Sequence, residues 1–129
     1  MRVAVGQIAP VLGDVAANIG TLDDYCARAK EAGAALIVFP EMVDTGYAMA
    51  VIAERATSWT EGAVPALCTT ARRLSLAIIC GVSEREGDRI YNSQVFIDAS
   101  GRGPARRASH QTYYAAFPLG HAARLAPSD

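Results

Sequence analysis

Hydrophobic positions in this chain alternate between short unbroken apolar runs and stretches where they recur every three or four residues. Residues 2–8 (RVAVGQI) are Val-rich and are followed by turn residues, which predicts a first, largely buried strand. Pro10, Gly13 and Asp14 make the turn, and the Asp14 carboxylate can accept from the first free N–H groups of a following helix. Over residues 15–32, Val15, Ile19, Leu22, Cys26 and Ala29 share one helical face. Gly33 suits the left-handed residue that ends such a helix. The run ALIVF at 35–39 predicts a second strand, covered on both faces.

Residues 48–57 and 64–74 read as two further helices, with Pro65 in the first turn of the second. LAIICGV at 76–82 predicts a third buried strand, and 83–89 a charged turn around Gly87 and Asp88. IYNSQVFID at 90–98 predicts a fourth strand. Gly103-Pro104 breaks regular structure, and 103–129 forms a divergent tail. Strands alternating with helices, then joined by a hairpin, predict an α/β protein with a mixed sheet.

Composition narrows the function classes. Slightly more than half of the 129 residues are hydrophobic, which gives one domain-sized chain with a real core. A net charge of −1 offers no general electrostatic grip on nucleic acid or an anionic membrane. Arg102, Arg106 and Arg107 form a small basic cluster, but no aromatic stacking platform or helix-turn-helix pattern accompanies it. No window is apolar enough to span a membrane. The three cysteines, Cys26, Cys68 and Cys80, lack metal-ligand spacing, so reduced thiols in a cytoplasmic protein are expected.

The informative feature is Glu41, placed directly after a buried run and Pro40. An ionisable group there either faces a cleft or needs a partner, because an unpaired buried charge is costly. Burial would raise its pKa, which suits a general base. A helix-capping or salt-bridged glutamate is the structural alternative.

Several motifs occur in order across the first hundred residues. They are VAVGQ at 3–7, Asp14 and Asn18 opening a helix, IVFPE at 37–41 and TGY at 45–47. GVSE at 81–84, YNS at 91–93 and IDASG at 97–101 follow. Together they resemble the opening half of the nitrilase superfamily of carbon–nitrogen hydrolases. The resemblance implies the N-terminal half of a four-layer αββα sandwich, homodimeric in complete members. It also implies hydrolysis of a small-molecule amide or nitrile by a Glu-Lys-Cys triad, without metal or organic cofactor. Glu41 matches the glutamate, the proton acceptor.

The other two triad positions do not carry over. Where the family has its lysine, counting back from Phe117 reaches His110, a weaker oxyanion partner because histidine is mostly neutral near pH 7. Arg106 or Arg107 could replace the charge but not the compact ammonium geometry, and Lys30 lies in the first helix. No cysteine reads as the nucleophile, since Cys80 sits inside an apolar run and Cys26 and Cys68 in predicted helices. LAPSD at 125–129 resembles the stretch that precedes the cysteine strand, so the chain is expected to stop short of it and to be inactive alone. Two alternatives stand beside this one. A truncated homologue could act through association with another chain, because half a sandwich leaves edges and an apolar face uncovered. A nucleotide-binding doubly wound module is the other, although 9–14 lacks a glycine-rich phosphate loop.

Overall fold

A computed structural model describes residues 1–103, together with the backbone of two short strands at 114–116 and 124–126. The chain order is β1 (Val3–Val5), α1 (Val15–Glu31), β2 (Leu36–Val38), α2 (Met49–Arg55), α3 (Ala63–Leu74), β3 (Ala77–Glu86), β4 (Arg89–Ile97), β5 (Tyr114–Ala116) and β6 (Arg124–Ala126). The strands form one sheet in sequence order. β1, β2 and β3 are parallel, and each later neighbour is antiparallel to the one before. The expected α/β class with a mixed sheet is therefore found.

Helix α1 begins where the sequence predicts, with Asp14 Oδ1 accepting from the Ala17 N–H at 3.0 Å. Arg28 and Lys30 occupy its last turn, where positive charge favours the helix dipole. Gly33, at φ +79°, turns the chain out of the helix. Leu22, Cys26 and Ala29 are buried as expected, but Asn18 takes the buried place beside them and Ile19 is only half-buried.

Helices α1 and α3 pack on one side of the sheet. Asp23 of α1 accepts from Thr70 Oγ1 at 2.6 Å and pairs with Arg73, joining the two helices. Beneath them Leu22, Ile37, Leu67, Ile78, Val82 and Ile97 form the main core. Each such side chain, fully buried, contributes about 1.5–3 kcal/mol.

The opposite side of the sheet is open over much of its area, and this corrects two expectations. β1 was expected to be largely buried, yet Val3 and Val5 are 45% and 80% exposed. Both residues lie on the open face, and β1 is also the edge strand. β2 was expected to be covered on both faces, yet only Ile37 is buried, with Leu36 and Val38 half-exposed. Side chains alternate along a strand, so Phe96, at 58% exposure, falls on the same open face. The third strand is also longer than predicted. Residues 83–86 continue β3 rather than forming a loop, and Gly87-Asp88 alone makes the turn to β4. Among the described residues, no helix is long and apolar enough to cross a membrane.

Candidate active site

Glu41 lies just past β2 because the ladder between β2 and β3 loses its regular step there. Phe39 N–H donates to Ile79 O at 2.8 Å, as a parallel pair requires. A regular continuation would bond Gly81 to the carbonyl of 39 and the N–H of 41. Instead Gly81 N–H donates to Pro40 O at 3.0 Å, and its carbonyl accepts from Val43 N–H at 3.0 Å. The extra residues bulge across β3, as bulges that re-aim a side chain do. On the other side of β2 the ladder to β1 ends as well: Gly6 N–H donates to Val38 O, and the next bond would need an N–H at 40, which proline lacks. Met42, at φ +52°, absorbs the turn in a region costly to residues with a side chain. Its side chain is fully buried against Ile52, Ala56 and Ile90, which offsets that strain.

Gly81 makes the bulge possible. A Cβ at position 81 would lie 2.5 Å from Glu41 Cα and 3.3 Å from Pro40 O. The same contact fixes which face Glu41 occupies. Position 81 alternates with Cys80, which is buried under the helices, so Glu41 stands on the open face. Its Oε2 accepts from Asn92 Nδ2 at 3.0 Å. The side chain is exposed, while its neighbours on this face, Gly81, Ser83 and Asn92, are buried.

Behind the bulge, the loop is tied down by buried polar groups. The Asp44 carboxylate accepts from Ser83 N–H at 3.0 and 3.1 Å and from Ser83 Oγ at 2.7 Å. Burial pushes the Asp44 carboxyl above its ordinary pKa, and the Ser83 hydrogen bonds oppose that rise. Asn18 Nδ2 donates to Asp44 O and to Val11 O, both at 2.8 Å, while its Oδ1 accepts from Val11 N–H at 2.8 Å. A buried amide that satisfies three groups at once explains why Asn18 is inside a helix face otherwise apolar. Ser83 is in register with Asn92 across β3 and β4, which carries this network back to the partner of Glu41.

The remaining candidates lie elsewhere. Cys26 and Cys80 are buried in the core and Cys68 is half-buried on α3, all on the helix side of the sheet, away from Glu41. Burial pushes the Cys26 thiol up to about 12 and raises Cys80 further, with Cys68 also raised by burial. Lys30 Nζ donates to Ser75 O at 3.2 Å, at the helix layer. His110, Arg106 and Arg107 lie outside the described residues. Among the described residues, no three His, Cys, Asp or Glu side chains converge as metal ligands.

The sequence singled out Glu41 but not what holds it. Gly81, Ser83 and Asn92 belong to the motifs at 81–84 and 91–93, which read separately as strand segments. Only their register places them under and beside Glu41.

Comparison with known proteins bears on the family and the fold. Residues 2–116 match the family described as Carbon-nitrogen hydrolase. An aliphatic nitrilase of Rhodococcus rhodochrous is 32% identical, the match covering 82% of this chain and 33% of that protein. A nitrilase of Pyrococcus abyssi is 31% identical over 91% of this chain and 46% of its own length. The crystal structure of an amidase from Nesterenkonia sp. superposes with a TM-score of 0.72 at 28% identity, covering 89% of this chain and 42% of that one. The chain thus spans less than half the length of these relatives. Ordered motifs, a shared fold and a family match across most of the sequence lead to one assignment: this chain belongs to the carbon–nitrogen hydrolase family, the nitrilase superfamily.

Proposed function

We propose that this chain supplies the proton-accepting glutamate, Glu41, of a hydrolase that cleaves a non-peptide C–N bond in a small-molecule amide or nitrile. The supporting observation is a carboxylate at the C-terminal edge of β2, on the uncovered sheet face, seated on Gly81 and bonded to Asn92. In the Glu-Lys-Cys chemistry, the glutamate takes the proton of a cysteine thiol, and the thiolate forms a bond to the substrate carbon. A lysine ammonium stabilises the charge of the tetrahedral intermediate. With an amide the glutamate returns the proton to the leaving nitrogen and ammonia or an amine departs; with a nitrile the attack first gives a thioimidate, and one water must add to it before ammonia departs and the thioester is left. Water, deprotonated by the same carboxylate, then attacks the thioester carbon; the C–S bond breaks, the sulfur takes the proton back from the glutamate, and the acid is released. No metal or organic cofactor takes part.

The three cysteines are across the sheet from Glu41, and Lys30 is on the helix layer, so none of them completes the triad. His110 is the occupant that the sequence offers at the lysine position. The 129-residue chain is therefore a partial catalytic domain of a cytoplasmic enzyme and is inactive alone. Ammonia release from short amides and nitriles, measured with the purified chain, is the test. Turnover that vanishes in Glu41→Gln would refute inactivity and keep Glu41. Turnover that survives this substitution would refute its role.

A second reading is favoured by the exposure of Val3, Val5 and Phe96 on one sheet face. Patches of this kind mark association surfaces. In this reading the chain acts by covering that face with another polypeptide, as a homodimer or beside a longer relative. A monomer in size-exclusion chromatography, with no change on Phe96→Ser, would dismiss it.

A further inference from the structure

We propose that Asn92 is the positioning residue for Glu41, fixing its Oε2 so that Oε1 is the oxygen presented to the open face; the catalytic meaning of this rests on the hydrolase reading above. A carboxylate can only accept, so the side-chain amide of Asn92 must turn its NH₂ toward Glu41. The 3.0 Å contact has that arrangement. Among the described residues, Oε1 receives no donor.

The two partners differ in burial. Glu41 is exposed and carries a long side chain whose carboxylate bonds to Asn92. Asn92 is buried, in the middle of a ladder running from Ile78↔Ile97 to Glu86↔Arg89. It faces Ser83 across the strands, and Ser83 is itself held by Asp44. The buried, ladder-held member therefore sets the orientation of the exposed one. An amide donor also suits a proton acceptor better than a cation would. It orients the carboxylate without placing a full positive charge against the oxygen that must take up a proton.

The test is NMR of the 129-residue chain with isotope-labelled glutamate, reading the three-bond couplings of Glu41 that report its side-chain torsions. In the native chain these have the values of one staggered conformer. Asn92→Asp, nearly the same shape without the donor, and Asn92→Leu should both give averaged values. The core signals of Val82 and Val95 should stay in place, which separates loss of the hydrogen bond from unfolding. Unchanged Glu41 couplings in both variants would overturn the proposal. The couplings do not depend on turnover, so failure of the hydrolase reading would be seen separately, as ammonia release indifferent to Glu41→Gln.

Discussion

Glu41 rests directly on Gly81: the space a Cβ would need at 81 is filled by Glu41 Cα, 2.5 Å away. Real Cβ contacts are never that short, and the obstacle is backbone rather than a flexible side-chain end. The glycine is thus what lets the bulge lie flat against β3.

Gly81→Ala should lift that bulge. Overpacking of this kind costs about 1–3 kcal/mol, and the shift should break the bond between Glu41 and Asn92. Urea unfolding gives the first quantity, and the Asn92 side-chain amide resonance reports the second. A variant as stable as the native chain, with that resonance unmoved, would contradict the close approach.

Asn18→Leu removes three hydrogen bonds; Val11 O keeps the Asp14 N–H at 3.3 Å, but the Val11 N–H and the buried Asp44 carbonyl lose the partner that Asn18 gives them. A loss of about 2–3 kcal/mol is expected, because each unsatisfied buried polar group is costly. Chemical denaturation should show it as a lower midpoint at unchanged slope.

Asp44 gives a pH dependence whose sign follows from its raised pKa. The folded chain holds the Asp44 proton more tightly than the unfolded chain does. Its contribution is fully present below the unfolded value, near 3.8, and is lost as pH rises through the higher folded value. Asp44→Asn keeps a neutral group that can accept from Ser83 N–H and donate to Ser83 Oγ. It should remove this decline, so its stability relative to the native chain improves between pH 4 and pH 7. Unfolding curves at several pH values test this, and a relative stability that falls with pH would reverse the assignment.

The thiols should be sluggish. The thiolate is the reactive form, and burial raises all three pKa values, with Cys26 reaching about 12. Iodoacetamide at pH 8 should modify half-buried Cys68 first, and Cys26 and Cys80 only on unfolding. Mass spectrometry of the digested chain would show the order. Rapid labelling of Cys80 in the folded protein would bring it back as a nucleophile.

The sequence by itself determined the order of elements, the cap at Asp14, the helix side of the core and the placement of Glu41 after the second strand. These depend on local chemistry: residue periodicity, a side chain that accepts from nearby N–H groups, and a proline that cannot continue a ladder. Tertiary structure decided how exposed the strands are. Apolar runs at 3–5 and 36–38 have the same composition whether a second layer covers them or not, so Val5 reads as core and is 80% exposed. It also decided the surroundings of Glu41. Gly81, Ser83 and Asn92 are 40 or more positions away in the chain, and strand register, rather than local propensity, brings them to one place. Asn18 shows the same division: its spacing puts it on the helix, but only the approach of the loops at Val11 and Asp44 makes a buried amide favourable there.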